Sequence, residues 1–340
     1  MLAAFGDPEL ERRAEAWLAT PLDALLDEHG SALRAAHAAR FRGRVLVFAP
    51  LYVTSACLND CVYCGFRRSN PGARTKLSPD AIVREARALA GAGHRTIDLV
   101  SGEIPTERFV RDAVRAVARI RAETEIARIH LNLGALSASQ YRALSAAGAA
   151  AYHLYQETYD PAVYARVHRR GPKRDMANRL RAAERAVDAG FEALGMGVLL
   201  GLAPLAGELA ALVGHARVLA ARRPDLRIGV SLPRIVEADQ EPGFVAAARI
   251  DDDAFAKALL FLRRELPDAH LTLTTRESAR LRDRLLPLGV TKVSAGVCTA
   301  PGGYSHGAER ERSQFAVHDE RSLDEVAEHL RAIGLTPVFQ

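Results

Sequence analysis

The stretch PLYVTSACLNDCVYCGF, residues 50–66, carries an apolar run directly into a loop that holds three cysteines. Cys57, Cys61 and Cys64 follow the spacing C-x3-C-x2-C, and the chain of 340 residues has one other cysteine, Cys298. An apolar and β-branched run of this length predicts a buried strand, so the three thiols lie just after a strand end. Cysteines concentrated at one point of a chain without a secretory signal indicate metal or redox chemistry and not disulfides.

The pattern around this stretch is a repeat of short apolar runs and longer alanine-rich, charged segments with helical periodicity. The runs predict strands near residues 46–54, 96–100, 128–133, 151–155, 194–200, 228–232, 270–274 and 291–295. Each of the first seven runs is followed by enough chain for one helix. Eight such repeats without a linker predict an α/β protein with one closed TIM-type (β/α)8 barrel. A doubly wound sheet is the alternative, although it usually has fewer strands.

The domain organisation predicted from this repeat is simple. Residues 1–45 form an N-terminal helical extension, and residues 46–340 form the barrel together with a C-terminal segment of one helix and a short extended end. In a barrel of this type the active site lies in the loops that follow the strands. The cysteine loop is therefore expected at the catalytic end.

Composition and charge exclude several classes of protein. Hydrophobic residues make up 49% and charged residues 26%, which is an ordinary globular balance. The net charge is +5, but basic residues are interspersed with acids and form no stripe, which argues against a nucleic-acid partner. The uncharged stretch 193–207 is too short to span a membrane, and residues 1–20 carry acids and lack a continuous apolar core. The prediction is a cytoplasmic protein with neither a nucleic-acid nor a membrane partner.

The spacing of the thiols bears on which metal they hold. Structural zinc sites use four ligands, commonly as two separated pairs, and the fourth cysteine here lies far along the chain. Three thiolates on one loop suit an iron–sulfur cubane with one iron left open. Iron–sulfur is favoured over zinc on this ground.

Several motifs together resemble those of a known family. The C-x3-C-x2-C loop after the first barrel strand, with Tyr63 before the last cysteine, resembles the signature of radical S-adenosylmethionine (SAM) enzymes. Five further segments occur in the order expected of the radical SAM aromatic amino acid lyases: SGE (101–103), YQETY (155–159), GMGVLLGL (195–202), TTRES (274–278) and SAGVCTAPGGY (294–304). From about residue 45 to the end, the chain is most similar to 2-iminoacetate synthase, the tyrosine lyase of thiamine biosynthesis.

The resemblance implies the cofactors and the residues that bind them. Cys57, Cys61 and Cys64 would ligate a 4Fe-4S cluster, and SAM would occupy the open iron. Glu103, at the end of the second strand, offsets the ammonium charge of SAM, and Arg179 pairs with its carboxylate. The full set of implied SAM contacts is Tyr63, Gly102, Glu103, Gln156, Glu157 and Arg179, with Gln156 and Glu157 both expected to face the barrel mouth.

The substrate residues implied by the resemblance are Arg276, Tyr52 and Ser294. An arginine after the seventh strand can hold an amino-acid carboxylate through two parallel hydrogen bonds. The sequence departs from the tyrosine-lyase pattern at Asn132, at Val297 with Cys298, and in the stretch SLPRIVEAD (231–239). These departures alter polar groups at strand ends, so they bear on which amino acid is bound.

The reaction implied is the cleavage of the Cα–Cβ bond of L-tyrosine to p-cresol and 2-iminoacetate (dehydroglycine). One electron cleaves SAM, and the resulting 5′-deoxyadenosyl radical abstracts hydrogen from the amino group of the substrate. A flavodoxin or ferredoxin would supply the electron, and thiazole synthase would receive the imine. The alternatives are a lyase of tryptophan or another aromatic amino acid, the hydrogenase-cluster enzyme, and a non-catalytic zinc- or nucleic-acid-binding protein. The hydrogenase-cluster enzyme carries a second iron–sulfur cluster. It is disfavoured because the sequence up to Gln340 has no second group of clustered cysteines.

Overall fold

Eight parallel strands form the core of the computed structural model, which describes residues 5–235, 242–306 and 314–340. The barrel strands are β1 (Arg44–Thr54), β2 (Thr96–Ser101), β3 (Arg128–Asn132), β4 (Ala151–His153), β5 (Ala193–Gly197), β6 (Arg227–Ser231), β7 (His270–Leu273) and β8 (Lys292–Ser294). They pair in chain order, and β1 pairs with both β2 and β8. The sheet is therefore closed, and the predicted TIM-type barrel is confirmed.

Helices cover the outside of the barrel. They are α1 (Pro8–Ala19), α2 (Leu22–Phe41), α3 (Pro79–Gly91), α4 (Glu107–Glu123), α5 (Ala138–Ala146), α6 (Pro161–Val167), α7 (Met176–Val187), α8 (Leu205–Arg222), α9 (Asp252–Glu265), α10 (Ala279–Leu285), α11 (Gly303–His306) and α12 (Leu323–Ala332). Side-chain caps fix where several of them begin. Ser78, Thr106 and Asp251 each accept a hydrogen bond from a backbone N–H of the first turn.

The two ends of the chain pack onto the barrel. Helix α1 lies against α8 and α9, and the indole of Trp17 donates to the carbonyl of Lys257 at 3.0 Å. At the other end, the short strand β9 (Thr336–Val338) pairs in parallel with the first residues of β1. No helix in the described ranges is both long and apolar enough to cross a bilayer.

Candidate active site

The three clustered cysteines line one cavity of about 220 Å³ at the carboxyl ends of the strands. Cys57, Cys61 and Cys64 lie in the loop between β1 and α3, and none of them forms a disulfide. The backbone N–H groups of Asn59 and Glu103 point at the Sγ atom of Cys57, at 3.4 and 3.3 Å. N–H groups directed at a sulfur are typical of thiolates that ligate iron, because they stabilise its charge.

The protonation of these thiols also bears on an iron–sulfur cluster. Burial raises the pKa of the Cys57 and Cys61 thiols, so the thiols by themselves would stay protonated at neutral pH. Coordination to a metal removes such protons. Three sulfur ligands on one short loop, with N–H donors already in place, fit a cluster held at three of its irons.

A buried ion pair lies beside the cysteine loop. The Glu103 carboxylate accepts from the backbone N–H of Ala135 at 2.9 Å and from the Arg179 guanidinium at 3.2 Å. Gly102 allows the cysteine loop to pack against the end of β2, because a Cβ atom there would lie 2.1 Å from the carbonyl oxygen of Ala56. The pair presents one carboxylate and one guanidinium to the cavity. That arrangement complements the ammonium and carboxylate groups of an amino-acid moiety.

Asn59 connects this ion pair to a second one. Its side-chain amide donates to Glu103 at 2.8 Å and accepts from the backbone N–H of Lys173 at 2.8 Å. The Lys173 ammonium pairs with Glu157 at 2.6 Å, and both side chains are largely buried. Glu157 has a φ of 72°, which is uncommon for a residue with a side chain and is found mostly where the fold requires it. The cysteine loop, the end of β2 and the loop before α7 are thus held together.

Tyr63 is held by His168 at the edge of the cavity. The Tyr63 hydroxyl lies 2.7 Å from Nε2 of His168, and the opposite ring nitrogen lies 3.0 Å from the carbonyl oxygen of Tyr164. A carbonyl only accepts, so Nδ1 carries the hydrogen and Nε2 accepts from the tyrosine. Burial lowers the pKa of His168 to about 2, which keeps the ring neutral. Tyr63 is therefore fixed as a hydrogen-bond donor.

Arg276, after β7, and Ser294, on β8, line the same cavity. The guanidinium of Arg276 stacks on the ring of Phe315, 3.6 Å from its centroid. Ser294, on β8, accepts a hydrogen bond from the backbone N–H of Thr275 at 3.1 Å, so its hydroxyl hydrogen remains available to a second partner. Both groups can donate to a carboxylate.

Tyr52 lies between these residues and the cysteine loop. Its ring packs edge-on against Phe66 with centroids 5.9 Å apart, and its hydroxyl donates to Oε1 of Gln314 at 2.7 Å. The amide nitrogen of Gln314 lies 3.8 Å from the sulfur of Cys64. Gln314 therefore connects a substrate-side tyrosine to a cluster-side cysteine.

The structure brings all but one of the predicted site residues to this cavity. The ones that line it are Tyr52, Cys57, Cys61, Tyr63, Cys64, Gly102, Glu103, Glu157, Arg179, Arg276 and Ser294. Gln156 does not line it, and this corrects the expectation that Gln156 and Glu157 both face the mouth. The Gln156 amide instead donates to the carbonyl of Thr158 at 3.4 Å.

Several other residues that line the cavity were not among the predicted site residues. Asn59, Lys173, Tyr155, Gln314 and Phe315 line the cavity, and the available signals were the position of Asn59 between two clustered cysteines and that of Tyr155 in the motif YQETY. Only some of the positions that depart from the tyrosine-lyase pattern line the cavity. Asn132, Val297, Ser231 and Pro233 line the cavity and Cys298 does not, whereas residues 236–239 lie outside the described residues.

The barrel and its thiol loop define the class of protein. The profile of the radical SAM superfamily matches residues 51–204, and that of the biotin and thiamin synthesis associated domain matches residues 231–336. Methylornithine synthase (PylB) has the same fold, with a TM-score of 0.77 at 20% identity over 96% of this chain and 94% of that one. The protein is a radical SAM enzyme, and enzymes of this superfamily use a 4Fe-4S cluster and SAM.

Two relatives narrow the family. The 2-iminoacetate synthase of Escherichia coli (strain K12) is 34% identical over 302 residues, which are 88% of this chain and 79% of that protein. The FeFe-hydrogenase maturase HydG from Carboxydothermus hydrogenoformans has a TM-score of 0.88 at 36% identity, over 96% of this chain and 75% of that one. The chain belongs to the radical SAM lyase family that includes 2-iminoacetate synthase.

Proposed function

We propose that this enzyme cleaves the Cα–Cβ bond of L-tyrosine to p-cresol and 2-iminoacetate, for thiazole formation in thiamine biosynthesis. One observation carries the proposal. In a chain 34% identical with a 2-iminoacetate synthase, one cavity is lined by the three clustered thiols and also by Arg276, Ser294 and Tyr52. This geometry brings an amino-acid carboxylate site within the same small chamber as the cofactor ligands.

The cofactor side of the cavity is formed by the cysteine loop and the Glu103–Arg179 ion pair. Cys57, Cys61 and Cys64 hold the cluster, and Glu103 with Arg179 receives the amino and carboxylate groups of SAM. Tyr63 and Glu157 complete this side. Gln156 lies outside the cavity and contributes by its hydrogen bond to the backbone carbonyl of Thr158. When bound, the cluster and SAM together supply a primary carbon radical after one-electron reduction.

The substrate side binds and orients the amino acid. Arg276 holds the carboxylate by two charge-assisted hydrogen bonds, and Ser294 adds a third donor. Phe315 supports this by keeping the guanidinium in one plane through stacking. Tyr52 forms the cavity wall next to the aromatic ring of the bound amino acid. Bound cluster, SAM and amino acid would displace water from the cavity, which protects a reactive radical from side reactions.

The partners proposed are a small-molecule amino acid, a flavodoxin- or ferredoxin-type reductant, and thiazole synthase. The reductant is required because SAM cleavage consumes an electron that the amino acid does not supply. Thiazole synthase is proposed because 2-iminoacetate hydrolyses in water and benefits from direct transfer. A cytoplasmic location is consistent with these three partners.

Tryptophan or another aromatic amino acid is the second candidate substrate. Asn132 and Val297 line the cavity at positions where the tyrosine-lyase pattern carries other polar groups. An unpaired polar group in a buried pocket costs about 1–3 kcal/mol, which is enough to change selectivity.

Anaerobic turnover tests the proposal. Reconstituted enzyme is incubated with SAM, dithionite and either tyrosine or tryptophan, and products are identified by mass spectrometry. The expected result is p-cresol and glyoxylate, the hydrolysis product of 2-iminoacetate, from tyrosine. SAM consumption with tryptophan and no p-cresol from tyrosine would refute the tyrosine assignment.

A further inference from the structure

Four ionisable side chains from four strands meet inside the barrel, below the active-site cavity. Asp98 on β2 lies 2.8 Å from Nδ1 of His130 on β3 and 3.1 Å from Nδ1 of His153 on β4. The Lys292 ammonium on β8 lies 2.9 Å from His130 and 3.5 Å from Asp98. All four residues are at least nine-tenths buried. Barrel interiors are normally filled by apolar side chains, so this cluster calls for an explanation.

A metal ion is a poor explanation for the cluster. Asp98, His130 and His153 place possible ligand atoms within 4.8 Å of one another, as a metal site would require. However, Lys292 already brings a positive charge to two of the three groups. A second cation at the same point would meet direct repulsion.

The cluster separates two cavities. Asp98 lines the active-site cavity, whereas His130, His153 and Lys292 line a second cavity of about 680 Å³ at the opposite end of the barrel. Arg227 lines that second cavity with half of its side chain exposed, so the cavity reaches solvent. The other charged or titratable groups facing it are Arg40, Arg42, Arg44, Arg128, Asp268, His270, the carboxyl end of the chain at Gln340, and Tyr155, which also lines the active-site cavity.

The hydrogen bonds define the direction in which a proton can move through the cluster. The Asp98 carboxylate only accepts, so Nδ1 of His153 carries the hydrogen and Nε2 is the basic nitrogen of the ring. Gly195 on β5 fits against this ring, since a Cβ atom there would lie 2.3 Å from Cδ2 of His153. Burial alone would raise the pKa of Asp98, but the charge of Lys292 and the hydrogen bond from His153 outweigh it and hold that pKa well below the usual value. The resting state is therefore a carboxylate facing the active site.

We infer that Asp98 and His153 carry protons from the second cavity into the active site, with the Lys292 ammonium positioning the carboxylate. One proton enters the ring at Nε2 and one leaves at Nδ1, so the imidazole stays neutral and Asp98 becomes a protonated carboxyl. The 4-hydroxybenzyl radical of the proposed reaction then takes one electron from the reductant and this proton, giving p-cresol. Asp98 returns to the carboxylate, and rotation of the His153 ring turns its remaining N–H back toward Asp98 for the next proton. This use of the proton rests on the proposed function.

The activity test compares products within one reaction. Asp98→Asn keeps the shape and some hydrogen bonds but cannot carry a proton. It is expected to lower p-cresol formed per 5′-deoxyadenosine about fivefold or more, with the iron content unchanged. Glu208→Gln is the control, because Glu208 is a buried carboxyl that lines neither cavity, and it should leave the ratio unchanged. An equal loss of both products in Asp98→Asn would mean that the cluster only fills the barrel, and would overturn the relay.

A second readout does not depend on turnover. Nitrogen NMR of histidine-labelled enzyme reports the tautomer of His153, assigned by the resonance that His153→Gln removes. The relay requires the neutral Nδ1–H form. An Nε2–H form would overturn it, whether or not tyrosine is the substrate. Absence of p-cresol in the wild-type reaction would refute the proposed function, and the tautomer would still decide the relay.

Discussion

Among single residues, the four cysteines give the sharpest contrast. Cys57, Cys61 and Cys64 line the cavity, whereas Cys298 lies outside it with its sulfur near the carbonyl of Ala300. Replacing any of the first three by Ala removes one of only three cluster ligands. We expect each of these variants to lose most of its iron and all SAM cleavage. Cys298→Ala is the matched control and should keep both. Iron analysis after anaerobic reconstitution measures the difference, and a comparable loss in Cys298→Ala contradicts the assignment.

Arg276 offers a test of the substrate side. Arg276→Lys keeps the charge but removes the planar fork and the stacking on Phe315. The loss of charge-assisted hydrogen bonds to a desolvated carboxylate costs about 1.5–3 kcal/mol, so KM for the amino acid should rise about tenfold or more.

SAM affinity separates this role from a general defect. In Arg276→Lys it should be nearly unchanged, since Arg276 is not among the residues assigned to SAM. Arg234→Lys is the control, because Arg234 pairs with Glu277 and Asp252 and does not line the cavity. Equal weakening of SAM and amino-acid binding in Arg276→Lys would argue against a carboxylate clamp.

At the scale of elements, the cysteine loop depends on one buried amide. Asn59 is 1% exposed and makes 2.8 Å hydrogen bonds to both Glu103 and Lys173. Asn59→Ala leaves their buried polar groups without these partners, at a cost of about 1–3 kcal/mol. We expect a lower unfolding temperature and faster loss of iron from the cluster. Asn178→Ala on α7 removes one side-chain hydrogen bond to Arg185 away from the loop and should retain iron normally. Equal iron loss from both variants would contradict this role.

The strands were predictable from the sequence because their apolar runs are short, buried and separated by helical segments. The eight predicted strands agree with β1 to β8 to within a few residues, and the largest excess is at β5, predicted to Leu200 and ending at Gly197. The strand ends then placed most site residues at one rim. Gln156 could not be separated from Glu157, since the positive φ of Glu157 depends on packing with the end of β5 and not on local sequence.

Contacts between distant segments could not be predicted from the sequence. Lys173 reads as an ordinary basic residue, and its pairing with Glu157 depends on how the loop before α7 folds over the cysteines. Asp98, His130 and Lys292 lie within predicted strands, where they read as polar residues in apolar runs. Only closure of the barrel brings β2, β3 and β8 together around them.

For the whole molecule, the remaining question is how an electron reaches the cluster. Leu58, between the first two cluster ligands, is 38% exposed, although most large apolar side chains of the described residues are buried. Arg68 and Arg170 are exposed and held beside it, with backbone hydrogen bonds to Asn59 and Asp60 of 2.8 and 3.1 Å. An apolar centre with a basic rim fits a small acidic electron carrier, such as a flavodoxin or ferredoxin.

Reversal of this charge tests the docking surface. The double variant Arg68→Glu and Arg170→Glu is expected to slow SAM cleavage supported by reduced flavodoxin about tenfold at low salt, because electrostatic steering is lost. High salt should narrow the gap, since salt screens exposed charges. Dithionite needs no docked protein, so the dithionite-supported rate serves as the internal control and should be unchanged. Reversal of Arg12 and Arg222, exposed on α1 and α8, provides a matched change of charge elsewhere. A flavodoxin-supported rate that falls equally in both double variants would show that net charge, and not this surface, governs reduction.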